Sequence, residues 1–290
     1  MNQMRRKMNP GNDTRKRVIL ITGASSGFGE ACARYLGERG YCVYGTSRRA
    51  TFGSQVKDKV GAPSFHMIPM NVRDPQSIDA GVQYILNREG AIDIVVNNAG
   101  YGLAGAVENL RIDELKDQFE TNFFGMVRVC KAVLPHMRSR SAGYIINISS
   151  IGGVMGLPFQ GAYSASKFAL EGISEALRIE VKPFGIHVVL IEPGDFKTGF
   201  TKNRVRAEGA VLASVYHQKL DATVALMENE ERNGFPPIRL AALVEKIINN
   251  PNPKVRYTTG KLEQRFSTLY KRWAPSRMFE KSFMKYYKLL

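Results

Sequence analysis

The sequence predicts an α/β fold with a single parallel sheet that helices cover on both faces. Short apolar segments rich in β-branched residues recur along the chain, and helical patterns lie between them. These segments are continuously apolar rather than alternating, which is typical of parallel strands buried on both faces. The 290 residues, 44% of them hydrophobic, suffice for one large domain with a substantial core.

The predicted strands begin with RVILIT at residues 17–22, which runs into Gly23. The others lie at residues 41–47, 65–70, 92–96, 143–148 and 186–191, with a candidate last strand at 255–258. Helices are predicted at residues 27–40, from 74 onward, at 113–134 and at 160–181. Pro135 is expected to end the third helix, because proline removes a backbone hydrogen bond. Residues 195–250 are mostly helical without sharp boundaries.

No repeat or linker interrupts this pattern, so residues 17–260 are predicted to form one domain. Residues 1–16 are predicted to be a basic, disordered arm, and residues 261–290 a basic amphipathic extension. The net charge is +15, and residues 251–290 alone hold ten basic and two acidic side chains. Because the middle of the chain is nearly neutral, no nucleic-acid partner is expected. The basic ends would either meet anionic lipid or an acidic partner, or simply aid solubility.

The cysteines and histidines show no ligand-like spacing. Cys32, Cys42 and Cys130 stand apart in apolar contexts, which indicates buried thiols in a reducing compartment. The four histidines do not cluster, so no metal site is predicted. The basic N-terminus has no apolar segment after it, and no apolar run approaches the roughly 18 residues of a membrane-spanning helix. We therefore expect a cytoplasmic protein, with peripheral membrane contact as an option.

The first predicted strand runs directly into the glycine-rich sequence TGASSGFG at residues 22–29. A diphosphate can approach the backbone N–H groups at a helix N-terminus only where no Cβ blocks it. Gly23, Gly27 and Gly29 supply such a junction, although their spacing differs from the G-x-G-x-x-G form. Its position after the first buried strand favours a dinucleotide site over a purely structural turn.

The second predicted strand ends in TSRRA, with Ser47, Arg48 and Arg49 and no acidic residue. A carboxylate here would bind the ribose 2′-hydroxyl of NAD, whereas an arginine can donate charge-assisted hydrogen bonds to a 2′-phosphate. The sequence therefore favours NADP(H) over NAD(H). The alternative is that the two arginines belong to an ordinary solvated loop.

Two Tyr-x-x-x-Lys pairs occur, Tyr163 with Lys167 in YSASK and Tyr257 with Lys261 in YTTGK. Residues four apart are neighbours on a helix, but a glycine interrupts any helix that would carry the second pair. The tyrosine pKa of about 10 would be lowered by a nearby ammonium and by an oxidised nicotinamide ring. Small residues surround the first pair, and Ser150 lies 13 residues before Tyr163 at the end of a predicted strand. The first pair is therefore the predicted catalytic one.

Together these motifs resemble those of the short-chain dehydrogenase/reductase family. The matching segments, in order, are TGASSGFG, NNAG at residues 97–100, Asn122 in TNFFG, Ser150 in NISS, YSASK, and Pro193 and Gly194 followed by Thr198. The resemblance covers about residues 16–260. It implies a Rossmann-type doubly wound sheet and an oxidoreductase that interconverts an alcohol and a ketone with a nicotinamide cofactor.

The resemblance also implies catalytic roles for individual residues. Tyr163 would be the acid/base, Lys167 would bind the nicotinamide ribose and lower the tyrosine pKa, and Ser150 would hold the substrate oxygen. Ser149 is the alternative for this last role, and the 13-residue spacing to Tyr163 favours Ser150. Asn122 would anchor a water that relays protons to Lys167, and Asn98 would lie beside the adenosine portion.

Gly194 and Thr198 would receive the carboxamide of the cofactor. Asn71 departs from the family, which usually has an aspartate against the adenine amine, although an asparagine carbonyl can accept the same hydrogen bond. The expected cofactor contacts are Gly23, Ser25, Ser26, Gly27, Phe28, Gly29, Arg48, Asn71, Val72, Asn98, Ala99, Gly100, Tyr163, Lys167, Pro193, Gly194 and Thr198.

The expected substrate is apolar with one alcohol or ketone group. Its specificity loop is expected at about residues 196–236, and a core role remains open for each candidate lining residue. These candidates are Val154, Met155, Leu157, Phe159, Phe196, Phe200, Val211, Leu212, Val215, Tyr216, Leu220 and Met227. The C-terminal extension looks similar to tails of family members that act on steroids, retinoids or long-chain sphingoid ketones. It would bind a membrane, cover the cleft or pack on another subunit.

Two other functions stay open: a 3-oxoacyl carrier-protein reductase, and a nucleotide-sensing regulator on the same fold. The first is disfavoured because the basic charge lies at the chain ends. The second is disfavoured because Asn122, Ser150, Tyr163 and Lys167 are all present. The family resemblance further implies a homodimer or homotetramer through the helices at 113–134 and 160–181.

Overall fold

The computed structural model describes residues 15–57, 61, 63–211 and 214–290. All but the last two residues of the predicted arm at 1–16 lie outside these ranges. Arg15, which is described, forms an ion pair with Asp93 at 2.9 Å.

Secondary structure follows the alternating order that the sequence predicts. The strands are β1 (Val18–Ile21), β2 (Cys42–Ser47), β3 (Ser54–Lys57), β4 (Pro63–Pro69), β5 (Ile94–Asn97), β6 (Leu103–Ala104), β7 (Gly143–Ile148), β8 (Ile186–Pro193), β9 (Val205–Arg206) and β10 (Arg256–Thr259). The helices are α1 (Gly27–Gly37), α2 (Pro75–Glu89), α3 (Ile112–Phe119), α4 (Gly125–Ser139), α5 (Gly161–Val181), α6 (Glu208–Val211), α7 (His217–Arg232), α8 (Ile238–Ile248), α9 (Leu262–Trp273) and α10 (Ser276–Tyr286).

Eight strands form one sheet in the order β10-β8-β7-β5-β1-β2-β4-β3. All neighbours are parallel except β3, which pairs antiparallel with β4. The chain starts at the centre of the sheet, winds toward β4, and from β5 winds the opposite way. The order reverses between β1 and β5, which is where open α/β sheets bind ligands. The predicted doubly wound fold is therefore confirmed.

Helices cover both faces of the sheet, as the four residues of β1 illustrate. Val18 and Leu20 belong to one apolar cluster, to which α2, α4 and α5 contribute. Ile19 and Ile21 belong to a second cluster, to which α1 and α8 contribute. All four side chains are at most 1% exposed, which explains why the first strand reads as an unbroken apolar run.

The edge strand β3 is missing from the sequence prediction. Its sequence SQVK is short, and its side chains are half-buried or exposed in turn, so it lacks the apolar signal of the central strands. It lies beyond β4 and forms that edge of the sheet.

The single helix predicted at 113–134 is divided in the structure. It consists of α3, a π-helical segment at Glu120–Phe124, and α4, which continues past Pro135 to Ser139. A proline removes only one N–H donor, and Met137 in the following turn is fully buried in the core. Burial of that side chain offsets the lost hydrogen bond, so the expected stop at Pro135 is wrong.

The thiols are free, and Cys32 and Cys130 are buried. Burial raises the pKa of each of these two thiols to about 12, so neither is a thiolate near neutral pH. Within the described ranges, no group of three or more His, Cys, Asp or Glu side chains could hold a metal ion. No helix of the described part of the chain is long and apolar enough to cross a membrane.

Candidate active site

The glycine-rich turn joins β1 to α1 at the point where the strand order reverses. Gly23 and Gly27 have φ angles of +67° and +60°, a left-handed backbone that favours glycine. Hydrogen bonds to β2 fix the turn: Gly23 N–H donates to Thr46 Oγ1 at 3.3 Å, and Ala24 N–H to the Thr46 carbonyl at 2.8 Å. The N-terminus of α1 therefore lies at the crevice between β1 and β5.

The residues of this turn fit a nucleotide diphosphate. A Cβ on Gly29 would lie 2.6 Å from Asn98 Nδ2 and against the Gly23 carbonyl, so only glycine allows this close packing. Ser26 stands at the N-cap of α1 but makes no side-chain capping bond, and Ser25 beside it is exposed. The first N–H groups of α1 are thus not capped by this side chain and suit an anionic ligand.

Asn98 and Ala99, directly after β5, hold the turn in place. The Asn98 side-chain amide donates to the carbonyls of Thr22 at 2.9 Å and Gly23 at 3.1 Å. The backbone N–H groups of Asn98 and Ala99 both donate to Thr22 Oγ1, at 3.0 and 3.1 Å. Asn98 therefore positions the turn, a role that the sequence pattern does not indicate, and its expected place beside the adenosine stays a prediction.

The ends of β2 and β4 supply the other expected nucleotide contacts. Arg48 follows β2 directly and is exposed. Asn71 Oδ1 accepts a hydrogen bond from Arg73 N–H at 3.2 Å. Val72 is 8% exposed and belongs to the core, where it would meet any Cβ added at Gly125. Val72 therefore has a packing role that the sequence prediction missed.

Asn122 is buried in the π-helical segment between α3 and α4. Its Oδ1 accepts from Tyr101 N–H at 3.1 Å, and its Nδ2 donates to the Tyr101 carbonyl at 3.0 Å and to Ser166 Oγ at 3.2 Å. A Cβ on Gly100 would lie 3.0 Å from Asn122 Oδ1, so a glycine suits this contact. Asn122 thus joins the loop after β5 to α5, and its proton-relay role remains a prediction.

Ser150 and Tyr163 meet in one pocket. Ser150 follows β7, and its Oγ accepts a hydrogen bond from Gly152 N–H at 3.0 Å. Tyr163 lies in the first turn of α5, is 7% exposed, and has Phe200 at 5.5 Å between ring centroids. Burial raises the pKa of Tyr163 to about 12, although a hydrogen bond with Ser150 acts in the opposite direction.

Lys167 lies one turn after Tyr163 on α5 and is 5% exposed. Its Nζ donates to the Ile148 carbonyl at 2.8 Å and lies 5.9 Å from the Tyr163 ring centroid. Burial lowers the pKa of Lys167 to about 8, while Glu171 opposes that shift. Burial of the Tyr163 phenol therefore has a larger effect on its pKa than the Lys167 ammonium has. The sequence analysis expected a lowered tyrosine pKa from Lys167 and an oxidised nicotinamide ring acting together.

The second Tyr-x-x-x-Lys pair is not arranged in this way. Tyr257 lies in β10, and its hydroxyl accepts a hydrogen bond from Lys254 N–H at 3.0 Å. Lys261 precedes α9 and pairs with Glu230 at 2.6 Å. Because the two residues stand on different elements, they share no helical face.

Pro193, Gly194 and Thr198 lie where β8 ends. Gly194 N–H donates to the Thr259 carbonyl at 2.7 Å, which ties the segment to β10. The Thr198 Cβ would be 3.5 Å from a Cβ on Gly27, so this loop lies over the glycine-rich turn. The structure therefore places two of the expected cofactor contacts, Thr198 and Gly27, next to each other.

A cavity of about 350 Å³ contains Ser150 and Tyr163. Its wall includes five of the apolar residues expected from the sequence, Met155, Leu157, Phe196, Phe200 and Met227. Of the others, Leu220 is buried in a separate apolar cluster that Phe159 joins, and Val215 is 90% exposed. Leu212 and the side chain of Val211 lie outside what the structure describes.

The C-terminal extension forms part of this pocket, which was one of the three arrangements open at the sequence level. Its two helices, α9 and α10, contribute Gln264, Ser267, Tyr270, Phe279, Ser282, Phe283 and Tyr286, and Tyr287 follows. Asp195 and Glu231 also line the cavity, and sequence reasoning missed both. A helical pattern alone does not show which neighbour a helix face meets, so the only available signal was the amphipathic character of the tail.

The fold and this site define a dehydrogenase with a pyridine nucleotide cofactor. The family model for short chain dehydrogenase matches residues 17–209. The chain belongs to the short-chain dehydrogenase/reductase family and is an oxidoreductase acting on CH–OH groups.

Among curated relatives, the chain is 46% identical to a 3-ketodihydrosphingosine reductase of Bacteroides thetaiotaomicron over 263 residues, covering 91% of this chain and 95% of the relative. It is 34% identical to 17-beta-hydroxysteroid dehydrogenase type 1 of Homo sapiens, covering 83% and 77%. The crystal structure of a short-chain dehydrogenase from Streptomyces avermitilis superimposes with a TM-score of 0.78 at 33% identity, covering 94% of this chain and 98% of that one.

Proposed function

We propose that this protein is an NADP(H)-dependent reductase that interconverts a ketone and a secondary alcohol on a hydrophobic long-chain substrate. The observation that carries the proposal is the apolar cavity that contains Ser150 and Tyr163 and is walled by the C-terminal helices. Among steroid, retinoid and long-chain ketones, we favour a 3-ketodihydrosphingosine type of substrate, because the bacterial relative of that name is 46% identical over nearly its whole length.

In this proposal, a bound nicotinamide supplies the two electrons and the hydrogen that reduce the carbonyl carbon. Tyr163 donates its phenolic proton to the carbonyl oxygen, and its raised pKa keeps that proton available at neutral pH. Ser150 donates a hydrogen bond to the same oxygen and orients it. Lys167, held by the Ile148 carbonyl, places a positive charge near the phenolate that forms.

The glycine-rich turn would hold the diphosphate, and Arg48 the 2′-phosphate of NADP(H). Support for this comes from the position of Arg48 directly after β2, beside the turn that Thr46 fixes. We also propose a homo-oligomer, because Phe168 and Ile179 on α5 are 46% and 75% exposed and would be covered by a second copy.

Turnover tests the function and the cofactor together. Steroid, retinoid and long-chain keto substrates are offered with each cofactor, and 3-ketodihydrosphingosine is expected to be reduced faster with NADPH than with NADH.

Arg48→Ala is expected to reduce the preference for NADPH over NADH by about tenfold, since a charge-assisted hydrogen bond is lost. Arg138→Ala, on the last turn of α4, is the control and should leave the preference unchanged. Equal kcat/KM values for NADPH and NADH in the parent protein would refute the cofactor proposal.

We further propose peripheral membrane contact through the outer face of α9. Leu262, Phe266, Leu269 and Trp273 recur at helical spacing there and are 56–79% exposed. Arg265, Lys271 and Arg272 lie between them, a composition that suits the surface of an anionic bilayer. The opposite face of the same helix lines the substrate cavity, so a lipid substrate would have a short path from the bilayer.

Cosedimentation with vesicles containing anionic lipid checks the membrane proposal. Replacing Phe266 and Trp273 together by Ser is expected to weaken vesicle binding by about tenfold or more, because two apolar side chains no longer enter the interface. Ile112→Ser removes an equally exposed apolar side chain on α3 and should have no effect. Absence of vesicle binding by the parent protein would end the proposal.

A further inference from the structure

The substrate cavity is apolar along much of its wall but also contains carboxyl groups. Those on the cavity wall belong to Asp195, Glu230, Glu231 and Glu263. A purely hydrocarbon substrate with one ketone has no use for them, and a buried carboxylate without a partner is costly. A carboxylate that forms an ion pair within the protein is accounted for, whereas one without a cationic partner is a candidate to bind a cationic ligand.

Two of the four have a cationic partner within the protein. Glu230 pairs with Lys261 at 2.6 Å. Glu231 pairs with the Arg204 guanidinium, whose side chain is 2% exposed, and accepts a hydrogen bond from Thr201 Oγ1 at 2.5 Å. These pairs are internally neutral and leave little charge for a ligand.

Glu263 has no ion pair among the described residues, but it is exposed to solvent. Asp195 differs from all three, because it is partly buried and its side-chain partner in the described part of the chain is an uncharged amide. Gln264 Nε2 donates to Asp195 Oδ2, and Gln264 Oε1 accepts from Asp195 N–H at 3.0 Å. Within the described ranges, no Lys, Arg or His nitrogen lies within 4.0 Å of this carboxylate. Burial and the neighbouring Glu231 raise the pKa of Asp195 to about 6, so the group is still anionic at neutral pH. The hydrogen bond from Gln264 and the charge of Lys261, which lies beyond 4.0 Å and pairs with Glu230, act in the opposite direction.

We infer that Asp195 binds the protonated amine of the substrate, and that the enzyme therefore selects long-chain 2-amino ketones over neutral ketones. This inference rests on the proposed function. A primary ammonium beside the reacting ketone would supply a cation within hydrogen-bond distance of Asp195, in a charge-assisted hydrogen bond. The apolar wall formed by Met155, Met227 and Phe283 would hold the alkyl chain. Steroids and retinoids carry no cation, so Asp195 would favour the amino ketones over both of these classes.

The test compares two substrates that differ only in the amine. A medium-chain 2-amino-1-hydroxy-3-ketone and its deamino analogue are reduced by the parent enzyme and by Asp195→Asn, which keeps the size and can still accept from Gln264. Asp195→Asn is expected to lower kcat/KM about 10- to 100-fold for the amino ketone, mainly through KM, because the ionic partner is lost. The deamino ketone is expected to change less than about threefold.

Glu263→Gln is the matched control, because Glu263 lines the same cavity but is exposed at its rim. Glu263→Gln is expected to keep the ratio of kcat/KM for the amino ketone to kcat/KM for the deamino ketone within about threefold of the parent ratio. An equal loss in both variants, or an equal loss on both substrates in Asp195→Asn, would overturn the assignment to Asp195. A parent enzyme that reduces both ketones equally well overturns this inference and leaves the proposed function standing. A parent enzyme that reduces neither with either cofactor overturns the proposed function itself.

Discussion

Tyr163→Phe is expected to lower kcat by about 10²- to 10⁴-fold, the usual contribution of a positioned proton donor. The substitution removes one oxygen atom and leaves the ring, which packs against Phe200. The fold and the nucleotide site should therefore persist. Cofactor affinity, measured by quenching of protein fluorescence, should change less than about threefold, while steady-state turnover collapses.

Tyr257→Phe is the natural control for this experiment. Tyr257 has the same spacing to a lysine, yet it lies in β10, and its hydroxyl accepts only a backbone hydrogen bond from Lys254 in the described part of the chain. Its loss should cost about 1 kcal/mol of stability and leave kcat within about twofold. If Tyr163→Phe kept turnover near that of the parent enzyme, another group would have to be the proton donor.

Gly29→Ala is expected to disable the nucleotide site and to destabilise the fold by about 1–3 kcal/mol. The new methyl group would lie 2.6 Å from Asn98 Nδ2 and against the Gly23 carbonyl, so the glycine-rich turn must move. Because Asn98 also holds the carbonyls of Thr22 and Gly23, the displacement would spread to the backbone that we propose binds the diphosphate. Nucleotide affinity, measured by calorimetry, is expected to fall at least about tenfold.

Gly172→Ala tests whether this effect is steric rather than a general response to alanine. Gly172 lies on α5, and apart from its own helical turn no atom of the described residues is within 4 Å of the position that its Cβ would take. Alanine there should raise the free energy of unfolding by about 0.5–1 kcal/mol, since it favours the helix. The midpoint temperature of thermal unfolding should thus fall for Gly29→Ala and rise for Gly172→Ala. A shift of both midpoints in the same direction would contradict the role assigned to Gly29.

The parts of the fold that the sequence predicted are those that depend on local signals. Buried parallel strands leave continuous apolar runs, and the turn at Gly23 must contain glycine because its backbone is left-handed. Edge strand β3 escaped prediction because SQVK has no such signal. The interruption before α4 was not predicted because π-helical segments occur inside longer helices, and Glu120–Phe124 contains no glycine or proline that would mark one.

The substrate side of the site was harder to predict because it is assembled from distant segments. Asp195 and Gln264 are 69 residues apart in sequence and meet only when α9 packs over the cavity. Leu220 and Val215 belong to the same predicted loop, yet the first is fully buried elsewhere and the second is exposed. The apolar character of a residue predicts burial, but it does not predict which cavity or cluster the side chain packs into.

The hydrogen bond from Lys167 to the Ile148 carbonyl implies that one atom of the proposed catalytic site belongs to the main chain of β7. A scan of side-chain substitutions would pass over this atom, since every residue at position 148 carries the same carbonyl. Engineering that preserves all four side chains proposed to be catalytic can therefore still lose activity, if repacking of the core moves the last residue of that strand. Redesign of this enzyme should hold the backbone at Ile148 fixed as strictly as it holds Tyr163.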